Sequence, residues 1–369
     1  MLQNLARGLM AAMLAAIAAT TATAQTTAPK APAPLKVGFV YVSPIGDAGW
    51  TYQHNLGRLA MEKALGAQVS TTAVEAVAEG ADSERVMRDL VAQGHKLIFA
   101  TSFGYLEPAL RVAADHPDVV FEHAGGFKTA KNLNTYNARF YEARYLAGLL
   151  AGKTSKSGIA GYVAGFPVPE VVQGINAFAL GMRAVNPKAQ VKVVWLNTWF
   201  DPPREREAAT SLINQGADVL TNHSGSPAVP QTAQAHFASK GVRVIAYQSD
   251  MSRHAPDAQL TAITHQWGAY YTRVAEAVRK GTWQATPVWG GMKDGFIAFA
   301  PFSPSIPADV VALVKAREAD IVKGKLHPFA GRLVDSAGAV RQERGVLDDA
   351  SLAKMNWFVD GVTGNLPKP

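Results

Sequence analysis

At 369 residues, with 48% hydrophobic and 18% charged side chains, the chain can build two ordinary domains and is too apolar to be disordered overall. Its excess of seven positive charges is scattered, without a basic run or a Lys/Arg stripe, which argues against a nucleic-acid surface. It has no cysteine, so neither a disulfide nor a cysteine-borne lipid can hold it.

Residues 1–24 combine Arg7, the apolar run 8–19 and a closing Ala22-Thr23-Ala24, the pattern of a cleaved secretory signal. The apolar run is about a dozen residues, short of the roughly 20 that a membrane-spanning helix needs. Cleavage is expected after Ala24, giving a periplasmic protein. Residues 25–34 (QTTAPKAPAP) read as a flexible spacer.

A buried strand is expected at 35–42, then helix 52–65, strand 67–77, helix 81–94, strand 96–100, helix 107–115, strand 119–123 and helix 141–152. The rhythm restarts with strands at 157–164, 191–196, 217–221 and 243–247, separated by helices at 169–186, 204–215 and 228–240. Beyond residue 260 it loosens into strand 260–264, helix 268–280, strands 288–292 and 296–300, and helix 308–323. Such alternation implies an α/β fold, with parallel sheets covered by helices. Two successive runs imply two lobes of similar plan. The first spans 35–155, with part of 250–300 returning to it; the second spans 156–249, with part of 300–369 returning.

In open parallel sheets a ligand sits outside the carboxyl ends of the strands. The loops there carry Trp50, Phe103, Tyr105, Phe127, Phe166, Trp199 and Phe200, interleaved with Asp47, Ser102, Asn222 and Gln248. Rings that stack and amides that read an edge suit a flat heteroaromatic ligand. Asn222 can both donate to and accept from such an edge. Glu170 follows Pro169 at a helix start, where capping is the first expectation and ligand contact the second. Asp201, before Pro202-Pro203, is expected to cap the next helix.

The run Gly38-Phe-Val-Tyr-Val-Ser-Pro-Ile-Gly-Asp-Ala-Gly-Trp50 resembles the opening of the BMP family of ABC-transporter substrate-binding proteins, which includes purine nucleoside receptors. Ala100-Thr-Ser-Phe-Gly104, the run 144–152, the run 174–181 with Asn186-Pro187, and 195–201 followed by Pro202 match in order. The resemblance implies a type I periplasmic-binding-protein fold, two lobes joined by three crossovers and closing on a ligand. It implies base stacking by Trp50, and by Trp199 or Phe200. Where nucleoside-binding members carry an Asp and a Lys for the ribose, this chain has Gln248 and His265; their acidic group at the base edge is replaced within Ala124-Gly125-Gly126. Loss of a carboxylate–lysine pair removes charge-assisted contacts to a sugar.

Nine histidines stand singly, and no H-x-x-x-H pair, G-x-S-x-G elbow or phosphate-binding loop is present. No catalytic residue, metal or cofactor is therefore assigned. The expected function is capture of a purine nucleobase or related heteroaromatic by a monomeric, periplasmic, non-enzymatic component of an ABC importer, with Trp50, Trp199, Phe200, Gln248, Asn222, Phe103, Ser102, Asp47 and Glu170 at the ligand and a membrane permease as partner. A nucleoside receptor of the same family, an exported purine-processing hydrolase and a sensory receptor are the alternatives.

Overall fold

The computed structural model describes residues 33–367; the expected signal segment, its cleavage point and most of the spacer lie outside them. The chain runs β1 (Leu35–Val40), α1 (Trp50–Leu65), β2 (Val69–Val74), α2 (Ala81–Ala92), β3 (Leu97–Ala100), α3 (Leu106–Asp115), β4 (Val120–Ala124) and β5 (Leu133–Ala138). It continues through α4 (Phe140–Thr154), β6 (Ile159–Ala164), α5 (Pro169–Val185), β7 (Gln190–Trp195), α6 (Pro202–Asn214), β8 (Val219–His223), α7 (Ala228–Lys240), β9 (Arg243–Gln248) and β10 (Gln259–His265). Then come α8 (Gly268–Lys280), β11 (Val288–Gly290), β12 (Ile297–Phe299) and α9 (Ala308–Val322). The last stretch holds β13 (Leu333–Val334), β14 (Val340–Gln342), α10 (Asp349–Leu352) and β15 (Val362–Thr363).

The strands form two large sheets, ordered β11-β5-β4-β3-β1-β2 and β12-β10-β9-β8-β6-β7-β15. Every pairing in them is parallel except β10 with β12. Central strands such as β3 (LIFA) and β8 (VLTNH) are buried along their whole length, as strands covered on both faces must be. This is the α/β, two-lobed plan expected from the rhythm.

The chain passes between the sheets three times: after β5, after β10 and after β11. β10 and β12 belong to the second sheet and β11 to the first, while α8 packs on α1 of the first. α4 packs along α5, β10 and β12, so the first crossing falls after Ala138, earlier than the boundary expected at residue 155. The cause is the small-residue face of α4: a Cβ on Gly148 would lie 2.0 Å from the Phe178 carbonyl, so two helix backbones touch there.

β5 (LNTYNA) escaped the sequence reading because of its polar residues. Its neighbour Glu122, on β4, is fully buried. That carboxylate accepts from the Tyr270 hydroxyl (2.6 Å), the Trp283 indole N–H (2.8 Å) and the Asn134 amide (3.4 Å). Burial pushes its pKa up from 4.5 to about 7, against the pull of those donors. Between these values the folded protein keeps a proton that the unfolded chain has lost. This group therefore makes stability fall as pH rises from 4.5 to about 7. Glu122→Gln removes the linkage. In urea unfolding the variant should gain on the wild type across that window by on the order of 3 kcal/mol. A gap that stays constant would mean that the carboxylate is already ionised in the fold.

Candidate functional site

β1 lies between β2 and β3 in the first sheet, and β6 between β7 and β8 in the second, so each sheet reverses its strand order beside a central strand. Loops leaving the carboxyl ends diverge at such points and leave a crevice. Residues of both sets of loops line one cavity of about 540 Å³, its open mouth included.

From the first lobe come Val42 and Ser43 after β1, Trp50 at the start of α1, Ser102 and Phe103 after β3, and Ala124 and Gly125 at the end of β4. The Trp50 indole N–H donates to the Thr101 carbonyl (2.6 Å), and His54 meets the ring edge-on at 4.3 Å. The ring is thus fixed before any ligand arrives. Ser102 donates its hydroxyl proton to Glu79 (2.6 Å).

The second lobe adds Val168 and Glu170 from the α5 start, Trp199 and Phe200 after β7, His223 and Gly225 at the end of β8, and Gln248 at the end of β9. The Trp199 ring lies on bare Gly165 backbone, where a Cβ would come within 2.7 Å, and Phe166 packs on it at 4.9 Å. Glu170 accepts from the Asn137 amide (2.8 Å), and its other oxygen is 3.5 Å from His223 Nε2. Burial lowers the His223 pKa, with the Arg144 charge adding to it and Glu170 opposing, so the imidazole stays neutral. Buried Arg144 sits 3.5 Å from the centre of the Tyr247 ring and donates to Thr221 Oγ1 (2.9 Å) and the Asn222 carbonyl (2.8 Å), fixing the end of β8.

Gln248 stands out. Its φ of 76° is a left-handed conformation that glycine favours, and its side chain is 3% exposed with Oε1 buried and unpartnered. Strain and an unmet acceptor thus coincide at the end of a strand that reaches the cavity.

Seven of the nine expected site residues meet in the cavity: Trp50, Ser102, Phe103, Glu170, Trp199, Phe200 and Gln248. Two do not. Asn222 is fully buried away from it and donates to the Ser224 carbonyl (3.0 Å), because side-chain alternation along β8 turns His223 inward instead. Asp47 sits half-exposed and pairs with Arg253 (3.0 Å) and His254 (3.2 Å). Glu170 does not cap α5, whose start carries no side-chain cap, whereas Asp201 does cap α6 through the Arg204 amide. His265 is buried among Trp50, Phe140, Tyr247 and Trp267 and does not line the cavity. His223 was the residue missed; its only sequence signal was a polar ring at a strand end.

The cavity is closed by contacts between lobes. The Gly49 amide donates to Ser249 Oγ (2.8 Å), the Trp199 indole N–H donates to Glu79 (3.2 Å), and Asp47 meets Arg253. Gly49 has φ 94° and ψ −164°, a conformation open to glycine alone, and a Cβ there would lie 2.0 Å from the Gly225 carbonyl oxygen.

A family model described as ABC transporter substrate-binding protein, PnrA-like, matches residues 35–325. A purine-binding protein of Brucella abortus is 50% identical over 335 residues, covering 90% of this chain and 94% of that one. A Haloferax volcanii protein, provisionally named as an ABC transporter glucose-binding protein, is 38% identical over 333 residues, covering 90% of this chain and 81% of its own. Among solved structures, an ABC-transporter solute-binding protein from Aeropyrum pernix superposes with a TM-score of 0.69 at 18% identity, covering 80% of this chain and 93% of its own. Another, from Conexibacter woesei, gives 0.63 at 23% identity, covering 79% and 98%. The structural likenesses show the type I periplasmic-binding fold.

Gly49→Ala should fold, losing about 1–3 kcal/mol to the backbone conformation, yet fail to close. By small-angle scattering its radius of gyration at saturating ligand should exceed that of the ligand-bound wild type. Equal radii would mean that Gly49 and Gly225 do not limit closure.

Proposed function

This chain belongs to the family of PnrA-like ABC-transporter substrate-binding proteins, and we propose that it captures a free purine base, or a close heteroaromatic relative, in the periplasm for delivery to a membrane permease. The observation that carries the reading is Gln248: a neutral amide, strained and with an unmet acceptor, where the resemblance puts the ribose-gripping carboxylate of nucleoside receptors. The 50% identical relative named for purine binding supports the ligand class.

The side chains facing the cavity fit a flat base. Trp50, Phe103, Trp199 and Phe200 supply aromatic faces on both lobes. Glu170 and Gln248 Oε1 accept hydrogen bonds, and neutral His223 adds no charge, so a ligand edge rich in N–H groups is favoured. Capture follows from differential binding: the ligand touches both lobes only when they are closed, so it draws the hinge equilibrium toward that state. Among the described residues no helix is long and apolar enough to cross a membrane, so passage through the membrane would fall to a separate permease.

The test is a titration of refolded, ligand-stripped protein with adenine, adenosine and glucose in parallel, read by tryptophan fluorescence. Adenine should bind tightly, adenosine at least about tenfold more weakly, as expected where a ribose finds no charged partner. Preference for adenosine would restore the nucleoside reading, and preference for glucose would replace the base altogether. By calorimetry, Trp50→Ala and Trp199→Ala should each weaken adenine binding by about 1–3 kcal/mol. Unchanged affinity in both would move the ligand elsewhere.

A further inference from the structure

We propose that Glu79, outside the cavity lining, is a positioning residue that makes lobe closure and the seating of Trp199 a single event. Glu79 lies in the loop after β2, in the first lobe. Its Oε1 accepts from the Ser102 hydroxyl (2.6 Å), the Gly104 backbone N–H (2.8 Å) and the Trp199 indole N–H (3.2 Å).

The first two donors belong to the same lobe as Glu79, so the carboxylate keeps its seat whether the cleft is open or closed. Gly104 leaves room for that seat: a Cβ there would fall 2.4 Å from the Glu79 carboxyl carbon and would push the carboxylate aside. The third donor comes from the opposite lobe and from a ring that lines the cavity. When the lobes part, the indole N–H loses this acceptor; when they close, the ring is clamped at both ends, by Gly165 beneath it and Glu79 at its N–H. A charge-assisted hydrogen bond present only in the closed state lengthens ligand residence without altering encounter. Ser102, its proton committed to Glu79, offers the cavity only lone pairs.

The proposal rests on the reading of the cleft as the ligand site, and stopped-flow kinetics test the two separately. Association and dissociation are measured for wild type, Glu79→Ala, Glu79→Gln, Trp199→Phe and the Glu79→Ala/Trp199→Phe double variant. The probe is whichever of adenine, adenosine and glucose the wild type binds. Glu79→Ala and Trp199→Phe, which keeps the ring but not the N–H, should each speed dissociation about tenfold with association nearly unchanged. The double variant should be no faster than either single one, and Glu79→Gln, which keeps an acceptor oxygen, should restore slow release. Wild-type release from Glu79→Ala, or effects that multiply in the double variant, would overturn the proposal alone. A wild type that binds none of the three probes would remove the ligand site and the proposal together.

Discussion

The closed cleft depends on two backbones meeting where no side chain fits. Gly49 and Gly225 come from loops on opposite lobes, and a single Cβ at Gly49 would fall 2.0 Å from the Gly225 carbonyl oxygen. Everything else that spans the cleft follows from that approach. It brings the Gly49 amide to Ser249, one residue beyond Gln248, and sets Trp50, the next residue along, at the cavity wall. A larger residue at Gly49 would hold the lobes apart and leave the strand ends as two separate half-sites.

The second organising feature is a charge arrangement kept quiet by burial. His54, His223 and His265 are all enclosed, and burial lowers the pKa of each, so none brings a charge to the cavity or the region beneath it. Arg144 is sandwiched against Tyr247 and Tyr162 and donates from its two terminal nitrogens to the end of β8. Glu170 is left as the charged side chain on the cavity wall, tethered through Asn137 to the first sheet. A carboxylate and an unmet amide oxygen between aromatic faces describe what an N–H-bearing planar ring would require.

Much of this was legible in the sequence, because the strand rhythm is local and strand ends are where parallel sheets put their ligands. Trp50, Ser102, Phe103, Trp199, Phe200 and Gln248 were reachable by that rule alone. The expectation at Asn222 was off by one position, with His223 on the cavity instead, since strand parity depends on which face is inward and a run buried on both faces hides it. Asp47 was misread because its partners, Arg253 and His254, are some two hundred residues away in the chain. Glu79 had no local signal; its link to Trp199 spans 120 positions and exists only in the fold. β5 was hidden by its asparagines, whose amides make tertiary hydrogen bonds in the fold: Asn134, for one, donates to Glu122 and the Tyr270 hydroxyl. The segment from 326 to 367 lies beyond the family match, yet it adds β15 to the edge of β7 and anchors on α5 through Gln173 and Asn176.

On the function proposed, the closed cleft holds a free purine base between aromatic faces of the two lobes. Native mass spectrometry of the protein isolated without denaturation reads the occupant directly, before any choice of probe. A released ligand whose intact mass is that of a free purine base is the expected result. A nucleoside or a hexose in its place would overturn that reading, which rests on the neutral amide of Gln248 standing where the resemblance puts the ribose-gripping carboxylate of nucleoside receptors.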